Sequence, residues 1–345
     1  MLRNLLYIGR RLILLVPQLF LISVVTFVLI RALPGDPARL ELGPLAPQEG
    51  VQQLRQQLRL DRPLPEQYVA YLGRLAHGNL GRSWVNSTEV SADLAVRLPA
   101  TMELILLGMF LVAVVLVPIA MISAMPGRGL FSLVTRKIAF GYGLLAGALP
   151  DFWLGLMLVF VFFSLLGWAP GPEGRLGIMD VSPDYVTGMY LFDSLIAGDL
   201  ATFWSALSHL ILPAITLAFV YGAPIFKMVR SSLDGALKAD YTVYAQAIGL
   251  RPRTVLLYAM RNAAPPSIVV TGVVSGYLLG GAVLIETVFN LNGLGQYAVQ
   301  AITTADYAPI QAFVLLSAVF TMLVYLLVDL AYFAIDPRVS RGANQ

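Results

Sequence analysis

Cysteine is absent from this chain of 345 residues, which excludes disulfides, thiolate metal sites and thiol nucleophiles. Histidine is nearly absent, and the two present, His77 and His209, lie far apart in sequence. No His-Glu-x-x-His, Gly-x-Ser-x-Gly or Gly-x-x-x-x-Gly-Lys-Ser/Thr pattern occurs, so metal-dependent, serine and phosphate-loop chemistry all lack their parts. No catalytic residue, metal site or cofactor is expected here, and any ATP the protein depends on must be bound by another subunit. Charged side chains are scarce, at 12%. No convincing internal repeat is found, which argues against a secondary transporter built from inverted halves.

What fills the chain is apolar. Hydrophobic residues make up 58% and mean hydropathy is +0.75, far from the soluble average. A transmembrane helix needs about 20 mostly apolar residues, and such windows fall at 12–30, 104–125, 138–166, 207–226, 263–285 and 309–335. The expected fold is an all-α membrane protein with about six transmembrane helices, since a barrel would show short alternating strands. The first window reads as an anchor, because its apolar core exceeds the roughly 7–15 residues of a signal peptide and no Ala-x-Ala-like site follows. The chain divides into a tip and first helix (1–35), a helical loop outside the membrane (36–98) and a helical core (99–345) interrupted by a polar segment at 227–262.

Charge placement orients these parts. With the N-terminus in the cytoplasm, the inside segments carry Arg3, Arg10 and Arg11, then Arg128, Arg136 and Lys137, then Lys227, Arg230, Lys238, Arg251, Arg253 and Arg261, then Arg338 and Arg341. On the other side, 167–206 has Arg175 alone against Glu173, Asp180, Asp184, Asp193 and Asp199, and 286–308 has no Lys or Arg. That is the positive-inside pattern, and it predicts both termini in the cytoplasm. Loop 36–98 mixes both signs, but loops of its length cross with little regard to charge. The net charge of +3 thus reflects topology rather than affinity for nucleic acid.

Within 36–98, Pro47 opens a helix with Val51, Leu54 and Leu58 as an apolar stripe. Pro65 opens a second, with Tyr68, Leu72, Leu75 and Ala76 on one side and Gly78 as its stop. The pair reads as a cap over helix ends or as a docking surface for an extracytoplasmic partner. An acid at a helix centre costs about 2.5–3.5 kcal/mol on insertion into lipid, so Asp151, in LPDFWLG, reads as a pore-lining acid beside a proline kink or as an interfacial one. Glu103 reads as structural. Glu286 ends the fifth window and begins ETVFNLNGLG, whose Asn and Gly residues mark a tight re-entry. Gly272, Gly276 and Gly280 recur at four-residue spacing beside Gly281 and suit close helix packing or a smooth pore wall. Asp151, Gly276, Gly280 and Glu286 are the candidates for a pathway or gate.

The segment 227–262 is the most informative. Asp240 is a candidate N-cap for a short helix over 241–248, Gly249 suits the left-handed position after it, and Pro252 suits the first turn of the next helix. A helix–Gly–helix element exposed between two spans is suited to receive a push from a soluble partner. The run YTVYAQAIGLRPRTVLLYAMRNAAPP resembles the coupling loop of permease subunits of ABC importers, in the peptide/nickel branch that includes the dipeptide and oligopeptide permeases. The likeness continues in LPGDPA at 33–38, RLDRPLPEQY at 59–68, GNLGRS at 78–83, RLPATMEL at 97–104 and FWLG at 152–155. It extends through HLILPAITLA at 209–218, ETVF at 286–289, GLG at 293–295 and LVDLAYFAIDPR at 327–338. Tyr244, Gln246 and Ile248 stand where this branch often has Thr, Arg and Lys, and Tyr258 replaces a common His.

The resemblance implies a type I importer permease in the plasma membrane of a bacterium or archaeon. It would pair with a second, related permease to enclose one pathway, with two ATP-binding subunits docked below and an extracytoplasmic binding protein above. The implied cargo is di- or oligopeptides, with nickel or another small solute as the alternative. The implied coupling residues are Asp240, Tyr241, Tyr244, Ala245, Ala247, Gly249, Leu250 and Arg253, with Ala245 and Ala247 keeping the helix slim enough to enter a groove. A channel or secondary transporter has no need of such an element, and a membrane-embedded enzyme would need a catalytic cluster that is missing.

Overall fold

The computed structural model describes residues 13, 15–28, 36–43, 45–57, 60–127 and 129–335. Arg3, Arg10, Arg11, Leu58, Arg59, Arg128, Arg338, Arg341 and the 33–35 part of LPGDPA lie outside the described residues. Among those described there is no strand, only an isolated bridge between Arg82 and Glu89.

Helix α1 (Leu15–Val28) is followed by the short helices α2 (Pro37–Leu42), α3 (Gln48–Gln57) and α4 (Leu64–Ala76). Val51 of α3 is buried as its stripe predicts. In α4 the buried residues are Gln67 and Tyr71, while Ala76, expected on the packed side, is exposed. The reason is a contact the periodicity could not show. The Tyr68 and Tyr71 hydroxyls lie 2.6 and 3.2 Å from the Ser23 and Thr26 hydroxyls of α1, so α4 is fastened to the first apolar helix.

The remaining helices form the bundle. They are α5 (Val90–Ala124), α6 (Leu130–Leu145), α7 (Asp151–Leu165) and α8 (Tyr190–Ala197), then α9 (Leu200–Lys238), α10 (Asp240–Ala247), α11 (Pro252–Gly276), α12 (Leu278–Phe289), α13 (Leu294–Thr303) and α14 (Tyr307–Ile335). The described parts of all six apolar windows are largely helical, but among the described residues fewer helices are long and apolar enough to span alone. Val90–Ala124, Leu200–Lys238 and Tyr307–Ala331 are, and Pro252–Gly276 with Leu278–Phe289 makes a fourth if a 54° bend is allowed within one span. The window 138–166 is cut at 146–150, ahead of Pro150, which has no amide to donate and disfavours helix in the residue before it.

Helix α9 organises the bundle. Its 39 residues extend ~58 Å, well past the ~30 Å of a bilayer core. It packs on α5, α8 and α11 and buries Leu210, Leu217, Ile225, Phe226 and Leu233 completely. Asp199 caps its start, accepting from the Thr202 amide at 3.1 Å. Helices α11 and α14 meet at glycines, where a methyl on Gly272 would stand 2.1 Å from Val328 and one on Gly276 2.7 Å from Tyr325. Close packing of this kind stabilises helix pairs where lipid removes the hydrophobic drive between them.

Candidate functional site

Helix α10 is a short bracket held between the ends of α9 and α11. Ala239 is extended, with φ −70° and ψ 149°, and the Thr242 amide donates back to its carbonyl at 2.9 Å. Ala239 is therefore the N-cap and Asp240 the first helical residue, so the helix starts one residue earlier than the sequence suggested. There the carboxylate still complements the positive end of the helix dipole. The Thr242 hydroxyl donates to the Ala236 carbonyl at 2.7 Å, satisfying a terminal acceptor of α9 and fixing the corner. At the other end the Leu250 amide reaches the Ala245 carbonyl at 3.1 Å and the Gly249 amide the Gln246 carbonyl at 3.0 Å. Gly249 adopts φ +79°, which branched side chains resist, and Pro252 opens α11. Both expectations for this corner match the structure.

Which side of α10 faces out is a correction. Ala245, expected on the slim outer side, is 5% exposed, and Thr242 is buried beside it; both face the chain's own α9 and α11, to which α10 packs. The outward face carries Tyr241, Tyr244 and Ile248, one helical stripe, with Val243, Ala247 and Leu250 alongside and Asp240 and Arg253 at its edges. Tyr244 is 67% exposed. An apolar and aromatic patch beyond the spans is unusual for a surface with no function.

The four pathway candidates do not converge. Asp151 starts α7 immediately after the break and is half-buried. Its carboxylate accepts from the Tyr221 hydroxyl of α9 at 2.9 Å, and the same hydroxyl lies 3.2 Å from the Gly281 carbonyl of α12. Gly276 is enclosed against α14, with the Thr321 hydroxyl donating to its carbonyl at 2.6 Å. Gly280 alone faces open space, with nothing within 4 Å of an added methyl. Glu286 is wholly buried. Its carboxylate accepts from the Thr101 hydroxyl at 2.5 Å and from the Gly295 and Gln296 amides at 2.7 and 3.1 Å. Thr101 in turn accepts from the Leu294 amide at 2.9 Å. Glu286 thus binds the first turn of α13, and Gly293 leaves room for it, since a methyl there would stand 2.5 Å from the carboxylate. The arrangement is a structural one.

The same end of the bundle holds three further buried acids, Glu103, Asp193 and Asp306. Glu103 of α5 pairs with Arg175 at 3.2 Å, both nearly inaccessible, and accepts from the Leu191 amide at 2.6 Å. Arg175 also donates to the Gly188 carbonyl at 2.9 Å and stacks 3.6 Å over Tyr190. The segment 167–206, whose role the sequence left open, is thereby tied to α5. Asp193, just before α9, is buried. Burial alone would push its carboxyl up, but donors from Thr187, Gly188 and Val186 outweigh it and hold the carboxyl below the usual carboxylate value. Sequence reasoning missed Thr101, Tyr221, Val243 and Ile248. The available signal was a lone hydroxyl within an apolar run for the first two, and an apolar residue within a polar segment for the others.

The comparisons with known proteins agree with this architecture. Residues 116–341 match the family described as binding-protein-dependent transport system inner membrane component, and residues 1–105 match its N-terminal region. The chain is 40% identical over 326 residues to the probable D,D-dipeptide transport system permease protein DdpB of Escherichia coli strain K12, covering 94% of each chain. It is 39% identical to the di/tripeptide transport system permease protein DppB of Pseudomonas aeruginosa, covering 96% of this chain and 98% of that one. It is 33% identical to the glutathione transport system permease protein GsiC of Escherichia coli O6:H1, with the same coverage. The chain belongs to the family of inner membrane components of binding-protein-dependent transport systems.

Proposed function

We propose that this chain forms half of the translocation pathway of an ATP-driven importer of short peptides. It pairs with a second, related permease, receives cargo from an extracytoplasmic binding protein, and is driven by two ATP-binding subunits that dock on α10. Both termini and α10 are cytoplasmic, 36–98 and 167–206 are extracytoplasmic, and 99–345 supplies the core. The observation that carries this reading is the outward stripe of Tyr241, Tyr244 and Ile248 on a helix whose other side, Thr242 and Ala245, is locked into the chain. Such a helix transmits rigid-body motion of a soluble partner directly to α9 and α11. The peptide cargo is supported by the relatives, whose names span dipeptides, di/tripeptides and glutathione.

Reconstitution tests this. With its partner permease, ATPases and binding protein in proteoliposomes, the chain should take up labelled dipeptide only with ATP, and alone it should hydrolyse none. Dipeptide uptake without the ATPase subunits would make it a secondary transporter, and uptake of nickel but not peptide would select the other cargo. For orientation, single cysteines at Met179, 94% exposed, and at Val243 should react with an impermeant maleimide from opposite sides of the membrane.

A further inference from the structure

Between α6 and the lower half of α9 lies an open cleft of about 870 Å³, reaching down to Gln246 of α10. That volume falls within the roughly 300–1,000 Å³ of small-molecule sites. Its charged lining is one-sided: Arg136, Lys227, Arg230 and Lys238 against Asp234 alone. Lys238 is already paired with Asp234 at 2.6 Å, and Arg136 donates to the Met125 carbonyl at 3.2 Å. Lys227 and Arg230 form no ion pair among the described residues. Lys227 sits 11 residues before the end of α9, about 16 Å along the helix. Its side chain lies across the glycine face of the broken helix, with Nζ 3.6 Å from where a methyl on Gly147 would be. An unpaired cation at this depth needs water or an anion beside it.

We propose that the cleft is a water-filled vestibule in which Lys227 and Arg230 receive the C-terminal carboxylate of the cargo as it passes the break at 146–150. The proposal rests on the peptide-importer reading for the identity of the cargo and on the side chains of this chain for the anion site. Cations that line a cleft with low-dielectric walls focus field lines and raise the local concentration of anions. Two of them one turn apart, at 227 and 230, suit a carboxylate better than the ammonium at the other end of a peptide. Asp234 is already neutralised by Lys238, so it offers the ammonium no competing partner.

The test uses the cysteine-free chain in the assembled transporter, with Ser231→Cys as the reporter, one turn below Lys227 and lining the same cleft. The thiol should react with an anionic sulfonatoethyl methanethiosulfonate about tenfold faster than with a trimethylammonium analogue. Lys227→Gln or Arg230→Gln should erase most of that preference, and Lys227→Arg should keep it. Alanyl-alanine added from the α10 side should slow the labelling, whereas its C-terminal amide should not. An unreactive thiol, which would mean that the partner permease covers the cleft, overturns the proposal. So does a preference that survives both neutral substitutions, or protection by acid and amide alike. Because labelling and protection need no transport, protection without any ATP-driven dipeptide uptake would instead count against the importer reading and leave the anion site standing.

Discussion

The two ends of the bundle are built on opposite rules. At the end that carries Glu286, charges are buried and matched: Glu286 on the first turn of α13, Glu103 on Arg175, Asp193 on the turn at 186–188. At the end that carries α10, Lys227 and Arg230 of the cleft form no ion pair among the described residues and the exposed side of the short helix is apolar. A buried acid with its donors in place fixes geometry, because removing either partner leaves the other unsatisfied in low dielectric. An exposed apolar stripe does the reverse, since it gains only when something else covers it. One end is largely complete within this chain, apart from one oxygen of the buried Asp306 carboxylate, and on the proposed reading the other is completed by other molecules. Substitutions at the first should cost folding, and substitutions at the second should cost function while leaving folding alone.

The largest effect is expected at the matched end. Glu286→Ala strands the Thr101 hydroxyl and the Gly295 and Gln296 amides, each of which costs about 1–3 kcal/mol when left unsatisfied. Folded protein in detergent, followed by fluorescence-detected size exclusion, should fall sharply, with the melting temperature of what remains lowered. Wild-type melting for Glu286→Ala would show that this acid is not structural. Asp193 adds a pH signature. Its folded-state carboxyl lies below the ordinary value, so the stability it contributes is present above the unfolded-state value of about 3.9 and is lost as pH falls through the folded one. Asp193→Asn should therefore lower the melting temperature at pH 7 and lower it by less at pH 3. An equal deficit at both would mean that charge has no part in holding the turn.

Next comes a variant that tests the boundary between the two rules. Ala245 belongs to the α10 end but is buried. Ala245→Glu places a carboxyl against α9 and α11 with no donor provided, at a cost of at least about 2 kcal/mol even when protonated. It should behave like a matched-end substitution, with reduced folded yield before any question of partner binding arises. Normal yield with wild-type melting would put Ala245 on the outside after all.

The sequence carried much of this and failed for identifiable reasons. Gly249 and Pro252 were legible because backbone conformation at a turn is a local property, recorded in the residue type itself. The same reasoning misplaced the N-cap by one residue, since Ala239 fills that position through its backbone alone and leaves no side-chain signal. Ala245 was assigned to the wrong side because α10 has no clear periodicity, and its inward side is chosen by the ends of α9 and α11. Glu286 stood out as an acid at a span end, but its role depends on Thr101, far away in the chain, and on a helix that starts eight residues later. The break at 146–150 was hinted at by Pro150, whereas the cleft beside it needed three helices to be placed before Arg136, Lys227 and Arg230 came together.

A smaller effect on folding is expected at Gly249, where the α10 corner turns with φ +79°. Space is not the obstacle, since nothing lies within 4 Å of an added methyl. The cost is the left-handed backbone, about 1–2 kcal/mol for a side chain with a Cβ. Gly249→Val should therefore tilt or fray α10 while the packed helices persist, giving near-normal yield with ATPase stimulation and dipeptide uptake lost. Gly249→Asn, which tolerates this conformation better, should recover much of both. Full coupling in the valine variant would remove the corner from the mechanism.

The smallest effect on the chain itself, and the sharpest on function, is expected at Tyr244. It is 67% exposed on the outward stripe and its side chain has no hydrogen bond or ion pair among the described residues, so Tyr244→Glu should shift stability by no more than about 0.5 kcal/mol. The new carboxylate would, however, face any surface that covers the stripe formed with Tyr241 and Ile248, where it would be desolvated without a partner. The ATP-binding subunits should co-purify with the wild-type chain and separate from the Tyr244→Glu chain during washing, with uptake falling in parallel. Tyr244→Phe keeps the ring and loses only the hydroxyl, and it should retain both. The contrast with Ala245→Glu is what sharpens the comparison: the same charge one residue along should reduce the folded protein, whereas at 244 it should leave the protein folded and alone. If the ATPases stay bound to Tyr244→Glu with uptake unchanged, the exposed stripe is not the docking surface, and the unmatched end of the bundle must be completed by something else.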